Sequence, residues 1–271
     1  MTDEVQTELL QGVLVIRLNR PHCLNAWTGK MRHHICDILN AAAEREDVRA
    51  IVFTGAGDRA FCAGQDLTES EKVESEATTR ESMNQFKRFY DAVREMPKPV
   101  VGALNGLAAG SGFQITLLMD VIVAHPDVQM GQPEVNSGIP SILGPWLMKE
   151  SLGRSRTVEL AVTGRMMDAA ECYRIGLIHH LVERQKVLET ALSVARELGG
   201  KPAEAFRITK QYLCHANSAE YERAWELAAE GQVEAFNGGE PQAVIRDFFA
   251  LRRARRRQEQ TEPPAPKSTL D

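Results

Sequence analysis

The sequence lacks the features that mark several protein classes. Its 271 residues include five cysteines, an odd number, and none of them forms a Cys-X-X-Cys pair. This pattern favours free thiols in a reducing compartment over a disulfide framework. The start of the chain has no apolar stretch typical of a secretory signal, and no run of about 18 apolar residues is present to span a membrane. We therefore expect a cytoplasmic protein without a membrane partner.

An excess of positive charge is also missing. The 32 Lys and Arg residues are outnumbered by 37 Asp and Glu residues, which gives a formal net charge of −5. Binding to nucleic acid needs a basic surface, so we expect no nucleic-acid partner. The five arginines between positions 252 and 257 are interpreted as one solvated helix face rather than a site for phosphates or lipid.

The spacing of apolar residues predicts an α/β core followed by helices. Short apolar runs predict strands over 12–18, 49–54, 100–104 and 121–124, and helical spacing predicts helices over 28–44 and from Met83 to just before Pro99. After about residue 150 the strand signals cease, and Asp168 with Glu171 indicates a helix capping box. Helical spacing then covers 186–198, 203–214, 218–236 and 241–256. We expect a core domain over 1–200, a helical region over 201–257 and a disordered tail over 258–271.

A turn of very small residues lies between a predicted strand and a predicted helix at 104–114. Gly110 and its neighbours carry little side-chain bulk, so a ligand can approach the backbone closely. The first N–H groups of a helix have no partner within the helix, and they favour an anion or a developing oxyanion. Tight packing of a strand on a helix explains this segment about equally well, because short Gly-rich stretches are weak signals.

Two other segments suggest a site in the same way. Residues 60–67 follow a strand and a turn, although alone they are better explained as a helix-entry loop with Asp66 as its cap. Residues 131–140 place Glu134 among Gly, Pro and apolar residues. A carboxyl group removed from water has a raised pKa and can exchange protons near neutrality, whereas a lone loop glutamate is more often a surface residue.

Taken together, the three segments resemble the crotonase superfamily, also called the enoyl-CoA hydratase/isomerase family. The resemblance covers about residues 5–255. It implies an α/β fold with a crotonase-like ββα-spiral core and a C-terminal helical trimerisation region, and hence a homotrimer or a dimer of trimers. Further matching motifs are Asn19-Arg20-Pro21, Leu24-Asn25-Ala26, Thr163-Gly164-Arg165 and Gly176-Leu177-Ile178.

The resemblance also implies a substrate and a set of site residues. The substrate would be an acyl-CoA thioester, with coenzyme A as part of the substrate and with no separate cofactor or metal. The backbone N–H groups of Gln65 and Ser111 would form the oxyanion hole, Glu134 would move a proton or activate water, and Gln114 would orient. The residues that would contact CoA and the substrate are Cys23, Leu24, Ala26, Ala63, Gln65, Asp66, Leu67 and Gly110.

Four positions depart from the family pattern. Gln65 stands where the family often has Ala, but a backbone donor needs no particular side chain. Ser111 stands where the family has Gly, and its hydroxyl can crowd or bond the thioester. Gln114 stands where two-glutamate hydratases have their first Glu, and an amide cannot exchange a proton at neutral pH. One carboxylate suffices for double-bond isomerisation and for some hydratases. His22 replaces a frequent Lys, so a cation for the CoA phosphates would come from Arg20 or Lys210, both of which are more simply read as solvated charges.

Other readings stay open from the sequence. A hydratase-lyase or a hydrolase acting on another CoA thioester is one alternative, and a non-catalytic acyl-CoA binding protein is another because of Gln114. The dehalogenase branch of the family is disfavoured, because Ser141 stands in place of its nucleophilic aspartate. His179-His180 has no third spaced ligand, so we expect no metal. The acidic segment 68–80 is expected to be a mobile, solvated loop, although one of its glutamates (Glu69, Glu71, Glu74 or Glu76) would supply a second carboxylate if the loop closed over the pocket.

Overall fold

The computed structural model describes residues 4–70 and 75–261. Within these residues, ten strands form a six-stranded sheet with the order β1-β2-β3-β5-β7-β10 and a four-stranded sheet with the order β4-β6-β8-β9. The strands are β1 (Val5–Leu10), β2 (Val13–Leu18), β3 (Ala50–Gly55), β4 (Ala60–Cys62), β5 (Val100–Leu104), β6 (Leu107–Ala109), β7 (Val121–Ala124), β8 (Gln129–Gly131), β9 (Met166–Asp168) and β10 (His180–Leu181).

Helices cover the sheets and extend the chain at its C-terminal end. The described helices are α1 (Gly29–Glu44), α2 (Leu67–Ser70), α3 (Glu76–Arg94), α4 (Ser111–Thr116), α5 (Leu143–Thr163), α6 (Ala169–Arg174), α7 (Val187–Gly199), α8 (Ala203–His215), α9 (Ser218–Gly238) and α10 (Glu240–Thr261). None of these helices is both long and apolar enough to cross a membrane.

The six-stranded sheet is a scaffold buried on both faces. Strands β2, β3, β5, β7 and β10 are parallel, and β1 joins β2 as an antiparallel hairpin. Every residue of β3 and β5 is buried, as expected for central parallel strands covered by helices on both sides. Helix α7 packs on one face through Val187, Ala191 and Ala195, while α1 and α3 share a larger core on the other.

The four-stranded sheet brings distant segments together. Strands β4, β6 and β8 run parallel, and β9 closes the sheet antiparallel to β8. The carboxyl ends of parallel strands lie at the same edge of a sheet, so the residues that follow β4, β6 and β8 become neighbours. Those residues belong to the three segments singled out from the sequence, which are 60–67, 104–114 and 131–140.

Several predicted elements are confirmed, and others are corrected. The predicted strands of the first half appear as β2, β3, β5 and β7, and Asp168 caps α6 by accepting from Glu171 N–H at 2.7 Å. The expectation that strands end at about residue 150 is wrong, because β9 and β10 follow. These strands are three and two residues long, too short for a period to be seen, and they form because tertiary contacts place them beside β8 and β7.

The acidic segment 68–80 is more ordered than expected. Its start belongs to α2 and its end to α3, where Ser75 and Thr78 form a capping box; residues 71–74 lie outside the described part. At the other end of the chain, α10 continues to Thr261, so residues 258–261 are helical rather than disordered. Gln and Glu are good helix formers, and the first prolines follow only at 263 and 264. Residues 262–271 lie outside the described part, and the domain boundary at residue 200 stays a prediction.

Candidate active site

The three segments surround one cavity of about 320 Å³ at the edge of the four-stranded sheet. Gly64 and Gln65 line it after β4, Gly110 and Ser111 after β6, and Glu134 after β8. The opposite walls are mostly apolar and aromatic. They include Met83, Phe86 and Tyr90 from α3, Ile142 and Leu143 near the start of α5, and Trp225 and Phe236 from α9.

The backbone amides of Gln65 and Ser111 border this cavity, and neither has a backbone hydrogen-bond acceptor within the described residues. Around Gln65, Trp27 accepts from Asp66 N–H and donates to Gly64 O, each at 3.0 Å. In such a parallel bridge the N–H of the middle residue points away from the partner, here away from Trp27. Ser111 is the first residue of α4, so its N–H has no acceptor within the helix.

The two segments that carry these amides lie close together because Gly64 has no side chain. A Cβ at Gly64 would lie 3.3 Å from Ser111 N and 2.9 Å from Ala109 O, so the two segments are in direct contact there. Gly64 also has a φ of +94°, which disfavours any residue with a side chain. Its glycine identity therefore follows from both the backbone conformation and the approach of the second segment.

Glu134 is a carboxyl group held in a nearly dry environment. Its Oε2 is buried without a hydrogen-bond partner, although the residue as a whole is partly exposed. A Cβ at Gly110 would lie 2.8 Å from Glu134 Oε1, so the carboxyl group lies against the turn that leads to Ser111. Burial raises the pKa of Glu134 to about 7, while hydrogen bonds, including those from Gln132 and Gln114, oppose the rise.

Gln114 is held at both ends of its amide. Tyr90 Oη–H donates to Gln114 Oε1 at 2.8 Å, and Gln114 Nε2 donates to Glu134 Oε1 at 3.3 Å. The tyrosine thereby fixes which end of the amide faces the carboxyl group, since a phenol at neutral pH donates and an amide oxygen accepts. Tyr90 is fully buried, and its pKa is raised far above the usual value by burial.

Comparison with known proteins places this geometry in a family. The model of the enoyl-CoA hydratase/isomerase family matches residues 8–254. The chain belongs to the enoyl-CoA hydratase/isomerase family. It is 28% identical to 1,2-epoxyphenylacetyl-CoA isomerase of Escherichia coli, over 93% of this chain and 97% of the relative. It is 27% identical to the short-chain-enoyl-CoA hydratase of Clostridium acetobutylicum, over 89% and 92%.

Solved structures agree with the assignment. The crystal structure of an enoyl-CoA hydratase/isomerase from Xanthobacter autotrophicus superimposes with a TM-score of 0.82 at 25% identity, over 94% of this chain and 99% of that one. The predicted family and the crotonase-like α/β fold with helices at the C-terminal end are therefore confirmed. The roles of individual site residues in this member of the enoyl-CoA hydratase/isomerase family stay predictions.

The residues that family resemblance assigns to CoA lie on two loops joined to each other. Leu24 O accepts from Ala63 N–H at 3.0 Å, which places the loop after β2 beside the loop after β4. Asn25 is fully buried and supports this junction through hydrogen bonds to Ala56 O and Ala60 O. The structure thus brings the loop that carries Cys23, Leu24 and Ala26 beside the one that carries Ala63, Gln65, Asp66 and Leu67. Of these residues, Ala63, Gln65 and Leu67 line the cavity.

The two cations considered for the CoA phosphates are neither solvated nor free. Arg20 Nη1 lies 2.8 Å from Asp66 Oδ2 and donates to Ala26 O at 2.6 Å, so it ties the two CoA loops together. Lys210 Nζ lies 2.7 Å from Asp120 Oδ2 and is 6% exposed. The interpretation of Arg20 and Lys210 as solvated charges is therefore wrong, because each cation is neutralised by a carboxylate that is distant in sequence. A contact of either cation with the CoA phosphates stays a prediction.

Other polar candidates also have structural partners. Glu69 accepts from Gly29 N–H at 2.9 Å, Glu76 pairs with Arg80, and His179 Nδ1 accepts from Ile122 N–H at 3.0 Å. Glu69 and Glu76 therefore have other partners, and Glu71 and Glu74 lie outside the described residues.

Ser141 lines the cavity and accepts from Gln132 Nε2 at 2.6 Å. The side chains of the arginines at 252–257 also lie outside the described part.

Two residues at the site were missed from sequence, Trp27 and Tyr90. Trp27 donates its indole N–H to Ser111 Oγ at 3.0 Å, and Tyr90 orients Gln114. In sequence, Tyr90 is one of several apolar positions of a helix, and Trp27 is one residue before a helix cap. A buried tyrosine or tryptophan usually has a hydrogen-bond partner for its polar atom. This requirement could have marked Trp27 and Tyr90 as candidates from the sequence.

Proposed function

We propose that this chain moves a proton beside the carbonyl of an enoyl-CoA thioester, either shifting a double bond or adding water. The activity type follows from membership of the enoyl-CoA hydratase/isomerase family and from relatives named as a hydratase and an isomerase. The observation that carries the proposal here is Glu134, a carboxyl group whose Oε2 is buried without a hydrogen-bond partner and whose pKa is raised to about 7, near the segments with the Gln65 and Ser111 amides.

In the proposed mechanism the thioester oxygen accepts hydrogen bonds from Gln65 N–H and Ser111 N–H. These donors stabilise the negative charge that develops on the oxygen as an enolate forms, and losing one such donor typically costs about 10²–10³ in rate. Glu134 accepts the proton released beside the carbonyl and returns it to another carbon. A carboxyl group with a pKa near 7 suits both steps, because it gives and takes a proton at similar cost at neutral pH.

We propose double-bond isomerisation ahead of hydration. Gln114 Oε1 accepts from Tyr90 and its Nε2 donates to Glu134, so the amide orients the carboxyl group, but it cannot act as a second proton carrier. A single proton carrier is all that isomerisation requires. The acyl part of the substrate is proposed to be apolar, because Met83, Phe86 and Leu143 line the same cavity as Glu134.

A mass-spectrometric screen of acyl-CoA esters tests the proposal. Short-chain, branched and aryl 2-enoyl and 3-enoyl esters are incubated with the wild-type protein and with Glu134→Gln. Conversion to a product of equal mass supports isomerisation, and a gain of one water supports hydration, provided that the variant is inactive. Release of free CoA or a shortened acyl chain would instead support a hydrolase or lyase, and tight binding without any conversion would support the non-catalytic reading.

We further propose that the chain assembles as a homotrimer or a dimer of trimers. Helices α5 and α8 expose large apolar side chains, with Val162 67%, Tyr212 73% and Leu213 69% exposed. Such residues are expected to be covered in an assembly. The double variant Tyr212→Glu with Leu213→Glu should reduce the mass measured by light scattering from that of a trimer, or of two trimers, to that of a monomer. A wild-type protein that runs as a monomer would contradict the proposal.

A further inference from the structure

Trp27 contacts both segments that carry the unpartnered amides. Through its backbone it donates to Gly64 O and accepts from Asp66 N–H, which holds the chain on either side of Gln65. Through its side chain it donates an indole N–H to Ser111 Oγ at 3.0 Å. Trp27 therefore bonds to the segment of Gln65 through its main chain and to Ser111 through its side chain.

The indole is fixed in direction. Trp27 is 0% exposed, and its ring packs edge-to-face on Phe89 with centroids 5.0 Å apart and an interplanar angle of 83°. An indole held on all sides cannot rotate to follow its acceptor, so the acceptor must sit where the N–H points. Ser111 Oγ is that acceptor, and Ser111 contributes the second amide.

Ser111 lies in close contact with the segment that carries Gln65. Ser111 N and Ser111 Oγ would each lie 3.3 Å from a Cβ placed on Gly64, so the hydroxyl and the amide both face the segment of Gln65. A shift of Ser111 along α4 would change the separation of the two amides directly. The hydroxyl, which the family pattern does not require at this position, is thus a point of attachment between the two segments.

We propose that Trp27 is a positioning residue that sets the separation of the Gln65 and Ser111 amides through the Ser111 hydroxyl. This inference rests on the proposed function. Oxyanion donors contribute most when charge has developed, so a displaced donor weakens the transition state more than the bound substrate. Loss of the Trp27–Ser111 hydrogen bond should therefore lower kcat and leave KM nearly unchanged.

Two variants remove this hydrogen bond from opposite sides. Trp27→Phe removes the indole N–H and keeps an aromatic ring against Phe89, while Ser111→Ala removes the acceptor and keeps the backbone amide. Each should lower kcat about 10-fold with KM within about twofold of wild type. The double variant should be no slower than the slower single variant, because both changes remove the same contact. Trp146→Phe is the matched control, since Trp146 packs on Tyr221 outside the cavity and its loss should leave kcat unchanged.

A spectroscopic measurement separates positioning from general damage. Para-dimethylaminocinnamoyl-CoA is a thioester whose absorption band moves to longer wavelength when hydrogen bonds polarise its carbonyl. The wild type, Trp146→Phe and Glu134→Gln should all give the shift, and Trp27→Phe and Ser111→Ala should give a smaller one. If Trp27→Phe does not fold, Ser111→Ala alone decides the outcome.

Three outcomes would overturn the inference: no red shift with the wild type, an unchanged kcat and red shift in the folded single variants, or additive losses in the double variant. Failure of the proposed function is recognised separately, because Glu134→Gln would then keep its turnover. A reduced red shift in Trp27→Phe would still report the positioning of the amides in that case.

Discussion

Two glutamates on neighbouring segments of this chain have opposite surroundings. Glu134 lies in the cavity with one buried, unpartnered oxygen, and burial raises its pKa to about 7. Glu171 forms two hydrogen bonds of 2.8 Å with the guanidinium of Arg165, which lowers its pKa. The two regions are connected, since Asn136 Nδ2 donates to Gly164 O at 3.0 Å. A carboxylate paired with a cation stabilises a junction, whereas one kept without a cation remains available to exchange a proton.

The largest expected difference between these glutamates is in turnover. Glu134→Gln should lower kcat about 10³-fold with little change in the affinity for the CoA ester, because an amide cannot carry the proton. Glu171→Gln should leave kcat within about twofold of wild type. Both are measured by steady-state kinetics on the ester found in the screen. Equal losses of kcat in the two variants would mean that the different surroundings of Glu134 and Glu171 do not determine which of them takes part in catalysis.

A second carboxylate beside Glu134 should raise the pKa of Glu134 further and so widen its difference from Glu171. Gln114→Glu places a like charge where an amide now donates at 3.3 Å, while Tyr90 Oη–H can still donate to the new side chain. A negative charge at position 114 disfavours ionisation of the neighbouring Glu134 and raises the pKa of the pair. The pH at which kcat/KM is half-maximal should therefore rise from near 7 by about one unit. An unchanged or lowered midpoint would show that Gln114 does not adjoin the group that titrates.

Stability should show a smaller effect that depends on pH. The pKa of Glu134 is raised from 4.5 to about 7 on folding, so the folded state retains a proton that the unfolded state has lost between these values. The free energy of unfolding should therefore fall as pH rises from 4.5 to 7. Glu134→Gln should be more stable than wild type at pH 8 by on the order of 2–3 kcal/mol and similar to it at pH 4.5. Urea denaturation at both pH values measures this, and a pH-independent difference would contradict it.

The sequence predicted those parts of the molecule that depend on local patterns. Strand β3 is a continuous apolar run, and α1 begins after Thr28, whose side chain accepts from Met31 N–H. The small residues at 63–64 and 110–112 were recognisable because glycine has a specific use where the backbone is approached closely. Glu134 was recognisable from its apolar neighbours in sequence.

The remaining features depend on contacts between distant residues. Strands β9 and β10 form through partners 35 or more positions away, and they carry no period of their own. The pairing of Lys210 with Asp120, 90 positions apart, could not be distinguished in sequence from two solvated charges. The same holds for Trp27 with Ser111, 84 positions apart, and for Tyr90 with Gln114. Family resemblance supplied the backbone groups of the site, but not the side chains that orient them.

The carboxyl group of Glu134 can be titrated directly. Protein labelled with ¹³C at the glutamate side-chain carboxyl carbon is followed by NMR between pH 4 and 9, and the signal absent from Glu134→Gln is assigned to Glu134. A midpoint near 7 is the result predicted for a carboxyl group whose pKa is raised by burial. A midpoint at the ordinary value of 4.5 would mean that water reaches the group freely, and would contradict its assignment as the proton carrier.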